Sequence, residues 1–186
     1  MPSHELTPAQ TVGPFFAPLL REGWNTVAGT ASSRIRIEGR VFDGDESSVP
    51  DAMLEIWHAD AGVGYAHPAD GWDPSRGDAG GFGRAGTDEA GRFWFETTKP
   101  GPVPHPSGAM QAPHAVVHVF ARGLLDYLTT RLYFSDDDLA GDPVLSSVPE
   151  DRRGSLIAQR TDSGAGVVYR FDVVLQGEGE TVFFEP

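Results

Sequence analysis

Polar and apolar residues alternate with a period of two along much of the chain. The clearest run is Arg34-Ile35-Arg36-Ile37-Glu38-Gly39-Arg40-Val41-Phe42, the pattern of a strand with one buried face. Residues 53–57, 92–96, 115–122, 128–134 and 167–175 read as further strands, and 181–184 as a short edge strand. Turn clusters separate them, among them Asp43-Gly44-Asp45 and Lys99-Pro100-Gly101-Pro102. Helical patterning is confined to residues 136–145 and 149–159, where Pro149 is placed to open a helix. No repeat or linker divides the chain. The expectation is an all-β fold, a mostly antiparallel β-sandwich of two sheets with long loops and one or two short helices, in a single domain over residues 1–186.

Residues 59–87 break the pattern. They are rich in glycine and proline, show little periodicity and carry Tyr65 and Trp72 as aromatic anchors. A long loop of this kind reads either as functional or as a surface insertion.

Composition narrows the function classes. With 23 glycines and 15 prolines in 186 residues, short strands and turns are favoured over a helical bundle. The absence of cysteine removes disulfides, thiolate metal sites and cysteine nucleophiles. The formal charge of −13 disfavours binding to a phosphate backbone. The one lysine, Lys99, stands against thirteen arginines, so any cleft for an anionic ligand draws its positive charge from arginine. The N-terminus lacks the basic and apolar segments of a signal peptide, and no run is long enough to span a bilayer; the expected location is the cytoplasm.

No nucleophile elbow, P-loop or dinucleotide fingerprint occurs, and Gly80-Gly81-Phe82-Gly83 neither follows a predicted strand nor opens a helix. Of six histidines, His114 and His118 invite a metal reading. Four residues apart on one strand face, however, they are separated by about 13 Å and cannot share one ion. The position that would complete a His-x-His pair is Val116. A lone histidine such as His114 is more often a hydrogen-bonded core residue than a ligand, and Tyr65 by itself is an ordinary aromatic anchor.

Six blocks in order nevertheless resemble the intradiol aromatic-ring dioxygenases: Thr11-Val12-Gly13-Pro14-Phe15-Phe16, Val49 to Trp57, Gly64-Tyr65-Ala66-His67, Phe82 to Asp88, Thr98 to Pro102, and Thr130-Arg131-Leu132-Tyr133-Phe134. Together they extend over nearly the whole chain. The resemblance implies a ferric enzyme class in which two tyrosines and two histidines hold Fe(III); phenolates are hard anionic donors suited to that state. Carried over position by position, the first tyrosine matches Tyr65 and the second, in a Lys-Pro-Gly-Pro-Tyr pattern, falls on Val103. The first histidine matches His114 and the second falls on Val116, so two of the four ligands are missing and Tyr65, Val103, His114 and Val116 are all vestigial ligand positions.

By this resemblance the chain is a subunit expected to hold no metal of its own. It would complete the cleft of a homologous beta subunit, which holds the Fe(III) and cleaves protocatechuate with O2 to 3-carboxy-cis,cis-muconate. Residues 1–20 would form an arm contacting that partner, with Thr11, Gly13 and Pro14 lining the substrate pocket. Gly13 would allow close backbone approach and Pro14 would stiffen the turn. Arg131 would supply positive charge for the substrate carboxylate, since a guanidinium matches a carboxylate in charge and shape. Two other readings fit the same residues: a self-sufficient dioxygenase whose iron site is rebuilt through His105 or another residue, and a non-enzymatic β-sandwich binding module.

Overall fold

The computed structural model describes residues 19–27, 34–60, 81–164 and 166–185. The eleven strands in them are β1 (Arg34–Phe42), β2 (Met53–His58), β3 (Phe82–Gly86), β4 (Arg92–Thr98), β5 (Val103–Pro104), β6 (Met110–Gln111), β7 (His114–Phe120), β8 (Leu128–Phe134), β9 (Ile157–Ser163), β10 (Gly166–Arg170) and β11 (Val173–Val174). The helical content is α1 (Pro143–Ser147) and a 3-10 helix over Glu150–Leu156. The all-β expectation therefore holds, and most strand pairings are antiparallel.

The alternation seen in the sequence is the inward–outward alternation of the sheet. Ile35, Ile37 and Val41 of β1 point into the core, as do Phe93 and Phe95 of β4, and Ala115, Val117 and Val119 of β7. The strands are joined in one nine-stranded path, β11–β1–β10–β9–β8–β7–β2–β3 with β4 on β1, where the sequence suggested two separate sheets. The joint is β9. Its first residues, Ile157 and Ala158, pair in parallel with Tyr133 and Phe134 of β8, and its later residues pair antiparallel with β10. The sheet curls there, and inward residues from both halves share one core. The hairpin β5–β6 stands apart from this path.

Several boundaries differ from the sequence reading. Residues 167–175 divide into β10 and β11, because Phe171 passes over Gly39. A Cβ built on Gly39 would lie 1.8 Å from the Phe171 carbonyl oxygen, so only glycine fits there. Phe82–Gly86, placed by sequence in the long loop, is a strand. Its inward Gly83 has no side chain to display the alternation, and Val27 occupies the space a Cβ would need. Residues 181–184 form no strand; their one ladder contact is a bridge from Phe184 to Thr129. The helix expected over 136–145 is the later α1, because Asp142 is its N-cap and Pro143 its first residue. Among the described residues, no helix is long and apolar enough to cross a membrane.

Candidate functional site

The face of β2, β7 and β8 opposite the core carries the positions singled out by sequence. Register places His114 opposite Tyr133, and Val116 opposite both Arg131 of β8 and Trp57 of β2. On the β5–β6 hairpin, Val103 lies opposite Gln111. Gln111 then reaches β8, where its Oε1 accepts a hydrogen bond from Arg131 Nη1 at 2.7 Å. Val103, His114, Val116 and Arg131 are thus linked through adjacent register pairs and this side-chain bond. Tyr65, Thr11, Gly13 and Pro14 lie outside the described residues.

A buried network holds this region together. Asp142 is 1% exposed and its carboxylate accepts four hydrogen bonds. Oδ1 receives Val144 N at 2.9 Å, Leu145 N at 2.8 Å and Tyr133 Oη at 3.1 Å. Oδ2 receives Ala112 N at 2.8 Å. One side chain therefore caps α1, fixes the strand entry ahead of β7 and anchors Tyr133. The carbonyl of Ala112 in turn accepts the His114 Nδ1 proton at 2.8 Å, because a carbonyl can only accept. Tyr133 donates its single proton to Asp142, leaving its oxygen facing Arg131 Nη1 at 3.5 Å.

Electrostatics follow from burial. Loss of water around the imidazole lowers the His114 pKa to about 4, and the nearby Arg131 charge pushes in the same direction. His114 is neutral at physiological pH and is no general acid there. Burial raises Tyr133 to about 12, so the phenol keeps its proton. Arg131 makes contact with two neutral acceptors, and no carboxylate of the described residues lies within ion-pair distance of it.

The other described histidines are engaged elsewhere. His118 faces Glu55 at 3.9 Å and packs on Tyr127 with ring centroids 4.8 Å apart. His105 sits in the turn of the β5–β6 hairpin, with Nδ1 2.8 Å from Ser107 Oγ. Buried His58 donates from Nδ1 to the Ala59 carbonyl, so its bare Nε2 accepts from Thr97 Oγ1 at 2.6 Å. The side chains of Val103 and Val116 carry no lone pair, and no group of three or more His, Cys, Asp or Glu among the described residues is arranged to hold a metal. The described residues of this region form no cluster of metal-ligating side chains. What they compose is a hydrogen-bonded platform that presents one guanidinium.

Sequence reasoning missed Gln111, Tyr133 and Asp142. For Asp142 a signal existed: an aspartate directly before proline is an N-cap followed by the first helical residue. Gln111 has no local signal, because its role depends on a partner twenty residues away in the chain.

Comparison with known proteins agrees with this architecture. A family model described as "Dioxygenase" matches residues 22–177. The protocatechuate 3,4-dioxygenase alpha chain of Burkholderia cepacia is 43% identical, with 96% of this chain and 96% of that one covered. The beta chain from the same organism is 36% identical over 80% of this chain and 66% of its own length. Among solved structures, hydroxyquinol 1,2-dioxygenase from Pseudomonas putida DLL-E4 superposes with a TM-score of 0.64 at 24% identity, covering 92% of this chain and 68% of that one, a likeness of fold. The chain belongs to the intradiol ring-cleaving dioxygenase family, oxidoreductases that use Fe(III).

Proposed function

We propose that this chain is the alpha subunit of a protocatechuate 3,4-dioxygenase. It completes the substrate cleft of a homologous beta subunit that holds the Fe(III) and cleaves protocatechuate with O2 to 3-carboxy-cis,cis-muconate. The observation that carries this reading is the pair of valines, Val103 and Val116, at two family ligand positions of a chain 43% identical to an alpha chain. The domain is read as two sheet halves facing one another, joined at β9, with residues 1–20 as an arm reaching the partner.

When bound in the partner, the iron supplies the activation of the catechol ring toward O2. The work of this chain is recognition. Protocatechuate carries a carboxylate opposite its hydroxyls, and Arg131 offers a guanidinium in direct contact with the neutral acceptors Gln111 and Tyr133. A charge-assisted hydrogen bond there would orient the ring and favour the acid over a plain catechol. Thr11, Gly13 and Pro14 would form the wall against the ring face. Tyr65 and His114 are read as remnants of the ancestral ligand set.

The test is iron content and oxygen uptake of the chain purified alone and after co-expression with its beta partner. A colourless, iron-free chain that is inactive alone and active only in the pair is the expected result. An iron-loaded chain that is active alone would replace this proposal with a self-sufficient enzyme.

A further inference from the structure

We propose that Gln111 is a specificity-determining residue: it positions the Arg131 guanidinium through a neutral acceptor and so leaves the arginine's charge available to a substrate carboxylate. The inference rests on the reading above that Arg131 meets the substrate in the assembled enzyme.

The geometry fixes the orientation of the amide. Gln111 is buried, and its Nε2 donates to the Pro104 carbonyl at 3.3 Å. A carbonyl can only accept and a guanidinium can only donate, so the amide has one orientation that satisfies both neighbours. Its oxygen therefore points at Arg131, and the 2.7 Å contact is short for a bond from a charged donor. Tyr133 supplies the second support from the same strand face, itself held by Asp142. Both acceptors are uncharged under this bonding pattern. Elsewhere on the molecule, Arg36, Arg84, Arg92, Arg122, Arg160 and Arg170 pair with carboxylates, whereas Arg34, Arg152 and Arg153 donate to backbone carbonyls.

Neutrality matters here more than the hydrogen bond itself. A glutamate in place of Gln111 would be nearly the same size and could reach the same nitrogen. It would also bring a full negative charge into a buried position against the guanidinium, where attraction is strong and water does not screen it. Arg131 would then be an internal ion pair with little left for a ligand. The hairpin position matters too: Gln111 is the register partner of Val103, where the family pattern has an iron-ligating tyrosine. The hairpin that would serve a metal instead serves an arginine.

The experiment uses the assembled alpha–beta enzyme. KM and kcat are measured for protocatechuate, and the Kd of catechol, which lacks the carboxylate, is read from the visible absorption of the iron. Gln111→Glu is expected to raise KM for protocatechuate by roughly tenfold to a hundredfold, the range of one hydrogen bond to a charged group. Catechol affinity and kcat should stay within about twofold, a split that a merely structural defect would not produce. Should Gln111→Glu fail to assemble, Gln111→Met, neutral and of similar length, decides the matter. It removes the acceptor and is expected to raise KM for protocatechuate severalfold with catechol unchanged. A protocatechuate KM equal to the parent's in whichever variant assembles, or an equal loss for both ligands, overturns the proposal. Arg131→Met separates the two layers. If it leaves protocatechuate binding intact, the reading of Arg131 itself fails; if it weakens binding and Gln111→Glu does not, only the role of Gln111 fails.

Discussion

Replacing Asp142 with alanine should be among the most costly single changes in this chain. The carboxylate is buried and accepts from three backbone N–H groups and one phenol. Loss of the N-cap on α1 costs about 1 kcal/mol. The Ala112 N–H and the Tyr133 O–H would each be left buried without an acceptor, at about 1–3 kcal/mol apiece. The sum is roughly 3–7 kcal/mol, against a total stability of only about 5–15 kcal/mol for a domain. At about 2–4 °C per kcal/mol for a chain of this size, the midpoint of thermal unfolding should fall by roughly 6–28 °C. Asp142→Asn keeps one acceptor oxygen for the helix cap but turns an NH2 toward the Ala112 N–H, so it should lie between the parent and the alanine variant. Thermal unfolding followed by near-ultraviolet circular dichroism, at one protein concentration for all three, measures the series. An alanine variant within about 1 kcal/mol of the parent would refute the accounting. It would mean that the carboxylate is replaceable and that the network does not depend on it.

Two further outcomes follow from the same structure. Because burial holds His114 at about 4, below the ordinary 6.5, the unfolded chain binds its proton first as pH falls. The stability from keeping it neutral is fully present above pH 6.5 and is lost progressively toward pH 4, by about 3 kcal/mol in all. His114→Gln should flatten that part of the stability–pH curve; an unchanged slope between the two proteins over this window would contradict the assignment. Gly39→Ala places a methyl group against the Phe171 carbonyl at a separation no atoms tolerate, so β1 and the Phe171 crossing must part. A loss of at least about 1–3 kcal/mol is expected in urea unfolding, and a parental midpoint would show that the crossing has room.

Two strands read from the sequence, Arg34–Phe42 and Leu128–Phe134, match the structure end to end. Two of the strands that escaped notice, β3 and β9, have few large apolar side chains at inward positions. β3 presents Gly83 and Ala85 to the core, and β9, IAQRTDS, carries mostly polar residues after its first two. Residues 181–184 failed in the opposite direction: the pattern is strand-like, yet no neighbouring strand is available beyond a single bridge. Alternation reports a side chain's environment and says nothing about whether a hydrogen-bonding partner exists.

The sequence by itself determined the class of the fold, the absence of thiol chemistry and the lack of donor atoms at residues 103 and 116. Each of these depends on residue type at a position, which no folding can change. Only the tertiary structure decided that β9 joins the two sheet halves and that Asp142 unites α1, β7 and β8. It also decided that Arg131 is held by Gln111 and Tyr133 with no carboxylate of the described residues in ion-pair range. Those facts are pairings between segments distant in the chain. Their energies come from burial and hydrogen-bond satisfaction at the point of contact, and neither exists until the chain has closed on itself.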